Sequence, residues 1–178
     1  MYKRQILRER KALKQCYETC APYVYTIIRN YIHDSSVHRD ILQEVFISLY
    51  SSLPNYDPKQ GNFKPWLSTI AIRQCIAHLR KKKLSYTVLT VDHSNQPDVE
   101  LIGLDELNRE EIEKLLEKMP EGYRTIFLLN IIDEYSHKEI AKLLKISPET
   151  SRSQLSRGLN WIRKNIQKEI RNYIYGTL

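Results

Sequence analysis

Apolar residues recur at helical spacing along most of this chain and lose that rhythm in one stretch. Near the N-terminus Leu13, Cys16, Tyr17, Val24, Ile27, Ile28 and Tyr31 return every three or four residues, the period of an amphipathic helix, with Pro22 expected to break it. From Val37 to Leu53, Ile41, Leu42, Val45, Phe46 and Leu49 form a second stripe, closed by Pro54. NYDPKQGNFK, residues 55–64, is dense in turn formers and predicts a loop. A third helix is expected from about Pro65 to Lys83. Its proline suits a first turn, and LRKKK places cations at the negative end of the helix dipole. Residues 1–83 therefore read as one three-helix module.

Between residues 84 and 108 the periodicity lapses. LSYTVLTVDHSNQPDVELIGLDELN carries Ser, Asn, Pro and Gly and predicts a flexible linker. Helical spacing resumes at about Arg109, and residues 109–178 form a second module. Within it Ser136 followed by Glu139 is a capping box, so a helix should begin at His137, with Ile140, Ala141, Leu143 and Leu144 facing a core. Ser147-Pro148 is another start signal, an N-cap and then proline at the first helical position. Only a turn fits between Leu144 and Pro148, which is helix-turn-helix spacing. At about 100° per residue, Leu155, Leu159, Ile162 and Ile166 fall within roughly 60° of one another. Arg152, Ser153, Ser156, Arg157, Asn160, Arg163 and Lys164 cover a separate arc of roughly 140°. One side suits a core and the other suits the major groove, where Arg takes guanine edges and Ser or Asn bonds bases or phosphates.

Charge sharpens this reading. The chain of 178 residues has a net charge of +7, which points to a polyanionic partner. Residues 1–83 hold 15 Lys and Arg against 6 Asp and Glu, residues 84–108 hold none against 5, and residues 109–178 hold 13 against 10. The linker is thus acidic between two basic modules. No apolar run approaches the roughly 18–20 residues that span a bilayer, and no signal-peptide core follows Tyr2-Lys3-Arg4, so a cytoplasmic protein without membrane insertion is expected. Cys16, Cys20 and Cys75 are too few for a structural zinc site of four ligands, and Cys16 and Cys20 are expected to share a buried helix face. An enzyme is not expected: there is no Gly-rich phosphate loop and no His-Glu-x-x-His, and the five histidines lack ligand spacing. Neither a metal nor a cofactor is expected.

Four stretches, in order, resemble one family. Asp40-Ile41-Leu42-Gln43-Glu44-Val45-Phe46 comes first, followed by Tyr56-Asp57-Pro58 with Gly61-Asn62-Phe63-Lys64 and Trp66-Leu67. Met119-Pro120-Glu121 with Tyr123-Arg124 and Tyr135-Ser136-His137-Lys138-Glu139-Ile140-Ala141 complete the set. Together they are similar to the extracytoplasmic function (ECF) RNA polymerase sigma factors of the sigma-70 family. That resemblance implies an all-α fold of two small helical domains, a region 2 bundle (1–83) and a region 4 helix-turn-helix (109–178), joined by the acidic linker 84–108.

The resemblance also implies a function and its residues. The chain would bind core RNA polymerase through the clamp of its largest subunit, using Asp40, Gln43, Glu44 and Phe46. Gly61, Asn62, Phe63, Lys64, Arg73, Gln74, Ala77, Arg80 and Lys81 would meet the minus-10 element of promoter DNA and hold a melted strand, the loop supplying hydrogen bonds and an aromatic wall. Lys82 and Lys83 would add phosphate contacts. Ser151, Arg152, Ser153, Gln154, Ser156, Arg157, Asn160 and Lys164 would meet the minus-35 element. Trp66 is expected in the core. An anti-sigma factor is the other implied partner, able to hold the protein near the inner membrane of a bacterium. The chain departs from the family where Arg73 and Ala77 replace common Asn or Asp, where Lys145 replaces a turn glycine, and at Ser151 and Ser156, where apolar or aromatic residues are frequent. A two-domain helix-turn-helix regulator without sigma activity would explain the second module but not the motifs of the first.

Overall fold

The structure is a computed structural model that describes residues 2–81 and 109–175; the linker 84–108, with Lys82 and Lys83, lies outside the described residues. The chain divides into two compact units, Met1–Lys82 and Lys83–Leu178, and the described residues of both are helical without strands.

In the first unit, α1 (Tyr2–Tyr31), α2 (His38–Ser52) and α3 (Phe63–Lys81) pack pairwise on one another. Their apolar stripes meet in a core of Val24, Ile28, Ile41, Val45, Leu49, Leu67, Ala71, Ile72, Cys75, Ile76 and Leu79. Pro22 does not break α1, contrary to the expectation from sequence. It removes one backbone donor at a cost of about 3 kcal/mol. Pro22 is exposed, so the freed carbonyl side stays wet, while Val24, Ile28 and Tyr31 beyond it are buried and hold the helix in line. The α1–α2 corner is pinned by His38, buried at the start of α2, whose Nε2 lies 2.9 Å from the Ile32 carbonyl. Asp34 caps the intervening turn of 3-10 helix, Ser35–Val37, by accepting from the Ser36 amide at 3.0 Å.

The second unit contains α4 (Arg109–Lys118), α5 (Glu121–Phe127), a π-helical turn (Leu128–Ile132), α6 (His137–Leu144) and α7 (Pro148–Tyr175). Leu115, Met119, Phe127, Ile162 and Ile166 form a buried cluster flanked by Tyr123, Leu155 and Leu159. Gly158 marks a close approach of α7 to its neighbours: a Cβ there would lie 2.9 Å from the Met119 methyl and 3.4 Å from the Tyr123 Cβ. Arg124 is almost wholly buried. Burial pulls its pKa down to about 10, against the opposing pull of Glu121 and Glu117.

Both predicted start signals are present. Ser136 Oγ accepts from the Glu139 amide at 3.3 Å, and the Glu139 carboxylate accepts from the Ser136 amide at 2.8 Å, a complete capping box. Ser147 Oγ accepts from the Thr150 amide at 3.1 Å. Between them Lys145 adopts φ 56° and ψ 46°, and the Ile146 amide donates back to the Ala141 carbonyl at 3.1 Å. That is a Schellman ending without its usual glycine. A left-handed backbone costs an L-residue about 1–2 kcal/mol, part of which a glycine returns through its freer unfolded chain. Lys145→Gly should therefore raise the stability of this unit by about 0.5–1 kcal/mol, read as a higher urea midpoint with unchanged m; a lower midpoint would show that Lys145 does not hold this conformation in solution.

Candidate nucleic-acid and polymerase interfaces

The loop between α2 and α3 is built around Asp57 and Tyr56. The Asp57 carboxylate accepts from the Lys59 amide at 2.9 Å and from the Gln60 side chain at 3.3 Å, while the Tyr56 hydroxyl donates to the Gly61 carbonyl at 3.0 Å. Tyr56, Phe63 and Trp66 then gather with ring centroids 4.7–5.8 Å apart. The result is an open pocket of about 330 Å³ with Tyr56 and Trp66 as apolar wall and Asn55, Asn62 and Gln60 as polar rim. A flat aromatic wall beside amide groups can stack and hydrogen-bond an unstacked base.

Sequence-predicted residues divide around this pocket. Gly61 and Asn62 line it, Phe63 braces Trp66 from behind, and Lys64 turns away to place its ammonium 4.6 Å from the centre of the Tyr23 ring. Trp66, expected in the core, is instead half-buried and forms the wall, because α3 begins at Phe63 and its first turn projects beside the loop. At about 100° per residue Trp66, Thr69, Arg73, Ala77 and Arg80 follow one side of α3, opposite its buried Leu67, Ile72, Cys75 and Leu79. Arg73, Arg80 and Lys81 are exposed, so a basic track leads away from the pocket. Gln74 is half-buried and its amide donates to Ser48 Oγ on α2 at 2.7 Å. A second cleft, of about 200 Å³, joins Asp40 and Glu44 of α2 to Gln74, Ala77 and Lys81 of α3.

On α2, Asp40, Gln43 and Glu44 are exposed, but Phe46 is not. It is 4% accessible and lies between the rings of Tyr17 and Tyr50, at 4.6 and 5.8 Å, so it supports the helix rather than presenting a contact. Ile47, 58% accessible, takes its place on the outer face: it is seven residues from Asp40 and three from Glu44, on the same side of the helix. The motif drew attention to the aromatic neighbour; helical phase alone would have selected Ile47.

On α7, Arg152 and Lys164 are exposed and Ser153, Ser156, Arg157 and Asn160 partly so, along one continuous side. Arg152 is steadied by Glu149, whose carboxylate accepts from it at 2.9 Å. Ser151 and Gln154 do not belong to this face: they are 0% and 6% accessible. Ser151 Oγ instead lies 2.9 Å from His137 Nδ1 and joins α6 to α7. Its phase, four residues before Leu155 and eight before Leu159, already sets it on the core stripe.

Residues 16–84 match the family Sigma-70 region 2, and residues 109–162 match Sigma-70, region 4. The chain is 30% identical over 165 residues to the ECF RNA polymerase sigma factor SigW of Bacillus subtilis (strain 168), covering 85% of this chain and 82% of that one. The chain belongs to the ECF sigma factors of the sigma-70 family. It is a transcription initiation factor that directs RNA polymerase to promoters. SigK of Mycolicibacterium vanbaalenii, another ECF RNA polymerase sigma factor, is 22% identical over 163 residues, covering 88% of this chain and 83% of that one. The sigma factor RpoE of Bartonella quintana, solved in complex with the anti-sigma factor NepR, shares the fold with a TM-score of 0.50 at 19% identity, covering 89% of this chain and 98% of that one.

His137 adds a pH dependence to this sigma factor. Its pKa lies below the ordinary 6.5, first through burial and then through the positive charge of Arg152. The unfolded chain therefore binds the proton more readily than the folded one. Stability from this residue is full above about pH 6.5 and is lost as pH falls toward the lower folded pKa. Thermal melts from pH 7.5 to 5 should show a smaller drop in Tm for His137→Gln than for the parent; parallel curves would remove His137 as the cause.

Proposed function

We propose that this sigma factor docks on the clamp of core RNA polymerase through Asp40, Gln43, Glu44 and Ile47, reads the minus-10 element with the 55–62 loop and the α3 track, and reads the minus-35 element with α7. Domain boundaries of 1–83 and 109–178 follow from that division of labour. It acts by binding rather than catalysis, in the bacterial cytoplasm, and an anti-sigma factor is its natural inhibitor. Among the described residues no helix is long and apolar enough to cross a membrane.

The observation that carries this reading is the two-sided α7. Ser151, Gly158, Ile162 and Ile166 are buried on one side while Arg152, Arg157, Asn160 and Lys164 remain accessible on the other. Such a helix meets the major groove without disturbing its own core. In the loop, Asn62 is exposed at the pocket rim above a preformed aromatic wall, so a captured base finds its partner groups already placed.

Runoff transcription with core polymerase is the decisive assay. The protein alone should start transcription at a promoter selected from a library, whereas a helix-turn-helix regulator without sigma activity would yield no product unless another sigma factor were added. Arg152→Ala should lose about 1–3 kcal/mol of discrimination between specific and scrambled minus-35 sequences if it meets a base edge; an equal loss on both would make it a phosphate contact. Asn62→Ala should slow promoter opening and be rescued by a premelted template. Ile47→Asp should weaken polymerase capture without lowering Tm.

A further inference from the structure

The loop between α2 and α3 closes twice, once locally and once across its span. Residues 57–60 make a turn by themselves: the Gln60 amide donates to the Asp57 carbonyl at 3.0 Å, and the Asp57 carboxylate accepts from the Lys59 amide at 2.9 Å. A different bond ties that turn to the helix after it. The Tyr56 hydroxyl, before the turn, donates at 3.0 Å to the carbonyl of Gly61, beyond it. The next carbonyl, of Asn62, already accepts from the Trp66 amide at 3.4 Å, inside the first turn of α3.

Packing does little to hold Gly61 in place. It is exposed, a Cβ built on it would meet nothing within 4 Å, and its backbone is not left-handed. Pro58, Lys59, Gln60 and Asn62 are exposed as well. A segment with so few buried contacts opens locally at low cost. The pocket nevertheless depends on it, because Gln60, Gly61 and Asn62 all line the space beside Trp66. The aromatic wall is firmer: the Tyr56 ring lies 4.7 Å from Trp66 and 5.6 Å from Phe63. Tyr56 therefore has two separable parts, a ring that belongs to the wall and a hydroxyl whose proton is committed to Gly61.

We propose that Tyr56 is a positioning residue for base capture: its hydroxyl holds the Gly61 peptide, and with it the Gln60 and Asn62 amides, in the binding geometry before DNA arrives. The inference rests on the minus-10 reading above and divides that function within one side chain. The ring stacks on the base, and the hydroxyl keeps the polar rim in register. Without the hydroxyl the Gly61 carbonyl turns to water and the rim samples other positions, so affinity for an unpaired strand falls with the fraction of protein in the competent form. Tyr56 lies outside the bundle core, so the fold and polymerase capture through α2 are independent of it.

Tyr56→Phe removes the hydroxyl and keeps the ring. Reconstituted holoenzyme is titrated with the single nontemplate strand of the minus-10 element from a library-selected promoter, intact or with an abasic residue at each position in turn. For the parent, one position should be costly to make abasic, the base that enters the pocket. Tyr56→Phe should bind the intact strand about 3–10-fold more weakly, the scale of one net hydrogen bond drawn from the loop equilibrium. On the strand abasic at that position the two proteins should bind alike. In the free protein, amide exchange at Lys59 and Gln60 should quicken in Tyr56→Phe, an effect that a hydroxyl serving only as a DNA contact would not have. Tm and polymerase capture should match the parent. Undiminished binding of the intact strand, an equal loss on intact and abasic strands, or unchanged exchange in the free protein would overturn the role of the hydroxyl and leave the pocket standing. A parent that is indifferent to abasic replacement at every position would overturn the pocket reading itself, and the role of Tyr56 with it.

Discussion

The left-handed backbone at Lys145 is the constraint on which the second unit turns. Two helices can be joined by so few residues only if the chain reverses within one position, and φ 56° is that reversal. Its strain is borne by what the reversal allows: Ile140 and Leu144 of α6 are buried, and His137 reaches Ser151 across the helix pair. Burial of each such apolar side chain contributes about 1.5–3 kcal/mol, more than the strain costs. The orientation of α7, and so of every polar group on its open side, follows from that exchange.

Close packing behind α7 reinforces the same orientation. A Cβ at Gly158 would meet the terminal methyl of Met119 at 2.9 Å and the Tyr123 Cβ at 3.4 Å, so α7 lies close against both residues. Buried Arg124 lies in α5, which packs against α7, with its charge offset by Glu121 and Glu117. A surface that must match a groove benefits from such a rigid base, because side chains fixed before binding lose less entropy on binding.

The first unit solves a similar problem with three helices. One core supports two surfaces, the outer side of α2 and the track along α3, and the Gln74–Ser48 hydrogen bond ties the two elements between them. The cleft shared by Asp40, Glu44, Gln74 and Lys81 places acidic and basic groups of opposite proposed partners within one depression. The proposed polymerase and DNA surfaces are therefore electrostatic neighbours.

Helices, their caps and the position of the turn were legible in the sequence, because capping, proline placement and apolar period are local properties of the chain. Ser136 and Glu139, Ser147 and Pro148 all stand where local chemistry puts them. Local signals failed where burial is decided by a distant partner. Pro22 stays within α1 because residues beyond it are held by other helices, and Phe46 is lost to the surface because Tyr17 lies against it. Trp66 is a pocket wall because Tyr56 and Asn62 close around it. The sequence by itself determined which stretches are rich in helix, where α6 and α7 begin, and which residue types could meet a polyanion. Only the tertiary structure decided which of those side chains face outward, since accessibility depends on what the rest of the chain packs against each face.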